Sequence, residues 1–188
     1  MAENKVIFGL KNAHYAPITI DETGNITYGT PVALPGSVEL SLEGRGDPTE
    51  FYADDMLYYT ASNNQGYNGT LTIARLTDQF RQDILGEELE TTDSVLLEKQ
   101  DAKPTDFAFM FEFDGDQKAT RHVLYNCSAS RPTVGGSTKT DTVEPTTQEL
   151  TFIASPRQSD RLVKASTSGT TESTVYDAWY SAVYQPTP

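Results

Sequence analysis

Polar and apolar residues alternate along most of this chain. Ser37, Val38, Glu39, Leu40, Ser41, Leu42 and Glu43 alternate without a fault, the pattern of a strand with one buried and one wet face. Val38, Leu40 and Leu42 are then expected in the core. Residues 68–74 repeat the pattern around Leu71 and Ile73, and residues 106–113 place Phe107, Phe109, Phe111 and Phe113 on one face of a single strand. Residues 121–129 put Val123, Tyr125 and Cys127 on one side and His122, Leu124, Asn126 and Ser128 on the other, wetter side. Residues 148–154 add Leu150 and Phe152 as core candidates.

Turn chemistry separates these runs. Residues 21–25 join a strand near 15–20 to one near 26–32, and Asp114-Gly115-Asp116 joins the phenylalanine strand to its successor, both as hairpins. Pro35-Gly36, residues 44–48, Pro104 and Arg131-Pro132 break the pattern, and the Gly-, Ser- and Thr-rich residues 133–143 read as an exposed flexible loop. The period changes twice. Residues 77–86 carry a capping Thr77, an early Asp78, Phe80 and Ile84 four apart and a closing Gly86, which specifies a short helix packed on the sheet through Phe80, Ile84 and Leu85. Residues 174–180 open either a second helix, with Val175 and Trp179 on one face, or a strand, to which their β-branched and aromatic content is equally suited. The expectation is one mainly β domain over residues 1–188, a sandwich or partial barrel with one flanking helix.

Length and charge narrow the function classes. The 188 residues suffice for one domain with a sizeable core. No apolar run approaches the roughly 18 to 20 residues that span a bilayer, and the N-terminus lacks the basic-then-apolar layout of a secretory signal, so a soluble protein assembled in a bacterial cytoplasm is expected. The net charge of −13 argues against a protein that grips nucleic acid. Residues 77–116 carry twelve acids against three bases, whereas residues 117–165 carry four acids against seven bases. Such polarity either solvates the surface or makes one copy complementary to the next.

Candidate chemistry is sparse. Cys127 is the lone cysteine, which leaves no intrachain disulfide or cysteine-based zinc site, and its position between Tyr125 and Ala129 reads as a small buried hydrophobe. The two histidines, His14 and His122, stand in no context resembling a nucleophile elbow or a triad. Gly135-Gly136-Ser137-Thr138-Lys139 lacks the spacing of a phosphate loop. Asp114-Gly115-Asp116 and Asp54-Asp55 lack the ligand spacing of a calcium loop and read as turns. No catalytic, cofactor-binding or metal-binding residue is assigned, and no enzymatic activity is expected.

The aromatic residues are more informative. Phe51, Tyr52, Tyr58, Tyr59 and Tyr67 fall within a stretch of about twenty residues between two alternating strands, where a hairpin turn needs two to five. Tyrosine gives large contact area at low entropic cost, so residues 44–67 read either as an arm that packs on another copy or as a long loop buried locally.

Several collinear stretches carry a resemblance. Residues 9–17 (Gly-Leu-Lys-Asn-Ala-His-Tyr-Ala-Pro), 31–36, 51–54, 83–86, 118–127 (Lys-Ala-Thr-Arg-His-Val-Leu-Tyr-Asn-Cys), 129–132 and 174–180 resemble the major tail protein (tail tube protein) family of siphophages infecting Gram-positive bacteria. The resemblance implies a tail tube protein fold, a β-sandwich subunit forming hexameric rings stacked into a tube through which DNA is ejected from the virion. It also implies as partners the neighbouring subunits, the tape measure protein, the distal tail protein and the tail terminator, with no membrane and no cofactor. In this family the sheet leading into such an arm lines the bore. Six copies of four strands at about 4.8 Å spacing and about 40° tilt give a backbone diameter of roughly 45 to 50 Å. The expected lumen-facing residues are Glu39, Glu43, Ser41, Thr70 and Thr72, and the expected inter-ring contacts are Phe51, Tyr52, Tyr58, Tyr59 and Tyr67. The alternative is a monomeric β-sandwich binding module, a virion decoration or carbohydrate-binding domain, whose exposed tyrosines stack on a ligand.

Overall fold

A computed structural model of the chain describes residues 4–22, 25–136, 138 and 145–186. In chain order the elements are β1 (Ile7–Ile20), β2 (Ile26–Tyr28), β3 (Val32–Ala33), β4 (Ser37–Gly44), β5 (Thr49–Ala53), β6 (Met56–Ala61), β7 (Tyr67–Ile73), α1 (Asp78–Asp83), β8 (Glu88–Leu89), β9 (Leu96–Leu97), β10 (Phe107–Gly115), β11 (Thr120–Ala129), β12 (Gln148–Ala154), β13 (Lys164–Ser166) and α2 (Ser173–Asp177). Nine of the strands form one antiparallel sheet with the path β2-β1-β10-β11-β12-β7-β4, to which β3 adds on β1 and β13 on β11. In a flat sheet β1 and β7 would lie roughly 19 Å apart, four strand spacings. Here Ala13 and Tyr15 of β1 share one buried cluster with Leu71 and Ile73 of β7, so the sheet is curled into a partial barrel around its core.

Phe107, Phe109 and Phe111 form the spine of that core, with Phe113 half-buried at its rim. Their rings contact in sequence, Phe109 to Phe111 at 5.4 Å and Phe111 to Phe113 at 5.3 Å between centroids. Phe152 of β12 closes against Phe109 at 5.4 Å and lies over Gly69, where an added Cβ would come within 2.2 Å of the ring. The helix α1 begins as its cap residue dictates, Thr77 Oγ1 accepting the Phe80 N–H, and it buries Phe80 and Ile84 with Leu85 half-buried beside them. The Tyr15 hydroxyl donates to Asp83 at 2.8 Å and fixes the helix to β1.

The opposite face of β1, β10 and β11 is also covered. Ala16, Ala108, Met110, Val123 and Tyr125 pack under Trp179 and Val183 of the C-terminal segment. Residues 173–177 are helical, so the ambiguous C-terminal motif resolves to a helix, giving two helices in all among the described residues. A buried ion pair holds this cover: Arg121 Nε donates to Glu112 at 3.0 Å, Asn12 and Tyr180 donate to the same carboxylate, and the Arg121 guanidinium also donates to the Tyr176 carbonyl and stacks 3.8 Å over the Tyr176 ring. Farther along, Arg157 forks onto Asp160, donates to Gln185 and lies over the Tyr125 ring. The Asp160 carboxyl is held down at about 2 by those guanidinium hydrogen bonds, and burial pushes the Tyr125 phenol up to about 12.

Three expectations change. A register shift between Phe107 and Phe109 inserts an extra residue in β11, so Cys127 lies with Leu124 in the phenylalanine core, not with Val123 and Tyr125. His122 is not on a wet face, because its ring stacks on Phe111 at 5.0 Å. Val38 is 59% exposed, because a second irregularity between Ser37 and Glu39 takes it out of the core-facing series. The first strand is also longer than its turn signals suggest, with irregularities near Gly9 and Asn12, both at positive φ. The hairpin closing at residues 21–25 is seen in the hydrogen bonds of Asp21 and Asn25, while Thr23 and Gly24 lie outside the described residues. So do Ser137 and residues 139–144, most of the expected loop at 133–143.

Candidate assembly surface

The two groups of candidate residues lie on one continuous β-hairpin. Strands β4 and β7 pair along their length, Leu40 opposite Leu71 and Glu43 opposite Asn68. The pairing continues beyond their ends through the Arg45 N–H to Gly66 O and Gln65 N–H to Arg45 O bonds, and then through β5 and β6, Thr49 opposite Ala61 and Ala53 opposite Met56. The tip is the two-residue turn Asp54-Asp55 with φ of 52° and 59°, the left-handed pair that tight hairpins require and that Asp tolerates.

The outer half of this hairpin is an arm that the described residues leave without cover. Phe51, Tyr52, Met56, Leu57, Tyr58 and Tyr59 are all about half exposed or more, Tyr58 reaching 70%. The register puts Phe51 with Tyr59 and Tyr52 with Leu57, so both sides of the ribbon carry large apolar groups. Local burial is therefore excluded for Phe51, Tyr52, Tyr58 and Tyr59. Within the arm, Phe51 and Tyr58 meet edge to face at 6.5 Å, and the Tyr52 hydroxyl donates to Glu50 at 2.6 Å, which pushes the phenol up from its ordinary value. Tyr67 is separate from this group. It sits in β7 opposite Gly44, half-buried on the core with the Lys164 ammonium 4.8 Å over its ring. A two-stranded ribbon is marginal alone, and covering each such side chain is worth about 1.5 to 3 kcal/mol.

The inner half presents a polar sheet face. Cross-strand partners share a side, and the register aligns three rows: Glu39, Thr72 and Glu149; Ser41, Thr70 and Thr151; Glu43, Asn68 and Ile153. The structure thus brings Glu39, Ser41, Glu43, Thr70 and Thr72 together on one face, opposite to the core side chains Leu40, Leu71 and Leu150. Glu149 and Thr151 complete it. They escaped sequence reasoning because β12 joins β7 across some seventy residues of chain, and only the alternation of Glu149, Thr151 and Ile153 with Leu150 and Phe152 hinted at them. No Lys or Arg occurs in β4, β7 or β12, so the charged groups on this face are all acids, set among hydroxyls, with Asn68 and the exposed Ile153 in its last row. Glu39 and Glu149 flank Thr72 at roughly 10 Å from each other, two strand spacings.

The two histidines pack on aromatic rings, His14 on Tyr180 and His122 on Phe111. Burial pushes the Cys127 thiol well up, so it stays protonated. Among the described residues no group of three His, Cys, Asp or Glu side chains is placed to hold a metal ion, and no helix is long and apolar enough to cross a membrane.

These features define a mainly β protein that presents an apolar arm and an acidic sheet face. No family model matches the sequence, and no curated protein matches it. Among solved structures, the chain is similar to the cryo-EM structure of the anti-feeding prophage cap, the AFP tube terminating cap, with a TM-score of 0.48 and 12% identity over 89% of this chain and 96% of that one. It is also similar to a chain of the sheath-tube complex, in the extended state, of PVC, an extracellular contractile injection system, with a TM-score of 0.46 and 14% identity over 87% of this chain and 94% of that one.

Proposed function

We propose that the chain is a structural virion protein, the major tail tube subunit of a long-tailed phage, forming hexameric rings that stack into the channel for DNA ejection and catalysing no reaction. The observation that carries this reading is the division of one hairpin into an uncovered apolar arm and a base-free acidic face. An arm whose six large apolar side chains find no cover among the described residues calls for a protein partner. A face bearing Glu39, Glu43 and Glu149 with hydroxyls between them repels phosphates and holds water, which suits a wall past which DNA slides. On this reading the arm reaches a subunit of the adjacent ring, and the sheet face lines the bore. The tape measure protein, the distal tail protein and the terminator are then its partners in the tail.

The test is size-exclusion chromatography and negative-stain microscopy of the purified chain over a wide concentration range, with and without tail initiator components. Sixfold rings or tubes are expected. A chain that stays monomeric throughout, with no ring in native particles, overturns the reading in favour of a monomeric binding module whose arm tyrosines stack on a ligand.

A further inference from the structure

The arm needs an acceptor, and the remaining exposed apolar groups offer two clusters. One is Val6, Ile7 and Phe8 at the start of β1, and the other is Leu89, Val95 and Leu97 on the β8–β9 hairpin. Charge separates them. The arm from Thr49 to Ala61 carries Glu50, Asp54 and Asp55 and no base. Around Leu89, Val95 and Leu97, residues 86–99 carry Glu87, Glu88, Glu90, Asp93 and Glu98; Arg81, Lys99 and Arg131 pair with Glu87, Glu88 and Glu98, which leaves Glu90 and Asp93 in excess. An acidic arm is repelled there.

The start of β1 is less acidic. Among the described residues Lys5, Lys11 and Lys118 lie around it against Asp114, which pairs with Lys11, and Asp116, which accepts from the Lys5 N–H at 2.8 Å. The strand edge is also open. On the side away from β10, β1 takes β3 at His14 and Tyr15 and β2 at Ile18 to Ile20, so among the described residues no strand pairs with residues 7–11 on that side. The site is rigid: the Asn4 side chain donates to the Lys118 carbonyl and accepts from the Gln117 and Lys118 N–H groups, which clamps the chain start to the β10–β11 turn. Each strand of the arm has a free edge of its own, since among the described residues β5 and β6 pair only with each other.

We propose that the arm of one copy docks on the start of β1 of a second copy, covering Val6, Ile7 and Phe8 and adding to the unpaired strand edge. The proposal rests on the tube reading in taking a second copy as the partner. Apolar cover supplies affinity, backbone pairing sets the direction, and the lysines draw the acidic tip into place. The kink at Gly9, with φ of 65°, confines regular pairing to the first residues of the strand, so the acceptor is short and specific.

The experiment uses the full chain, in which Cys127 is fully buried and silent to mild oxidants. Phe8→Cys with Tyr58→Cys should give a ladder of intermolecular disulfides in assembled material, absent from either single variant and absent from dilute monomer. Leu97→Cys with Tyr58→Cys should give none. Lys5→Glu, a surface change far from the core, should raise the concentration needed for assembly, and more so at low salt. Tubes that form normally yet give no Phe8–Tyr58 ladder, or give the ladder with Leu97 instead, overturn the acceptor and leave the tube reading standing. A chain that never self-associates overturns both.

Discussion

The imidazole of His122 stacks on the ring of Phe111, with centroids 5.0 Å apart and planes 15° from parallel, and its Nδ1 is buried with no hydrogen-bond partner among the described residues. Burial, with Lys164 nearby, pushes its pKa down to about 4 from 6.5. The folded protein therefore holds His122 neutral in a range where the unfolded chain binds a proton. The unfolded state takes up more protons between about pH 6.5 and 4, so stability falls as pH falls through that window and is unaffected above it. The difference in melting temperature between the native chain and His122→Gln, followed from pH 8 to 4, isolates this from the carboxylates. The native chain should lose more stability on acidification, and parallel curves would count against the assignment.

Phe109 sits at the centre of the aromatic spine, between Phe111 and Phe152 at 5.4 Å each. Phe109→Ala removes those contacts and leaves a cavity that the curled sheet cannot close. A loss of about 3 to 5 kcal/mol is expected in denaturant unfolding. An unchanged midpoint would refute the position of Phe109 in the core.

The Glu112–Arg121 pair locks the C-terminal cover, with side chains only 8% and 18% exposed. Arg121→Ala strands a buried carboxylate and should cost about 3 to 5 kcal/mol, whereas replacing both partners with apolar residues of similar volume should cost much less. Limited proteolysis provides a local readout. Cleavage after Arg161 or near Tyr176 should quicken in the single variant ahead of any cut in the phenylalanine core.

Replacing residues 49–61 by a two-residue turn shortens the arm but keeps the β4–β7 ladder and the Arg45 to Gly66 hydrogen bond. The shortened chain should melt like the parent, because the arm buries nothing in its own domain, and it should not elongate tubes. Unfolding on deletion would mean that the arm supports its own domain.

Glu39→Lys combined with Glu43→Lys reverses two of the three acids on the sheet face without touching the core. Assembly should persist while DNA ejection slows, most at low ionic strength where screening is weakest. Side chains found on the outside of the tube, or ejection indifferent to salt, would remove this face from the bore.

Much of this was legible in the sequence, because the responsible signals are local. Period-two alternation located β4, β7, β10, β11 and β12 to within a residue or two, Thr77 and Gly86 bracketed α1, and the strict polar series Glu39, Ser41, Glu43 with Thr70 and Thr72 reads straight onto one sheet face. The excess of aromatic residues in a long inter-strand excursion marked the arm, because no turn needs that length or that composition. What only the tertiary structure decided follows from non-local events. A single extra residue in β11 moves Cys127 to the other face, and alternation cannot reveal it because a bulge preserves the pattern on either side. His122 and Leu124 are expected on the wetter side, yet the β10–β11 register sets His122 opposite Phe111 and Leu124 opposite Phe109, so both take the phenylalanine face of the sheet. Tyr67 belongs to the sheet rather than the arm because its neighbour is Lys164, nearly a hundred residues away. Glu149 joins Glu39 for the same reason: the register that aligns them passes through Thr72, and register is set by which buried faces must meet, not by any spacing within one strand.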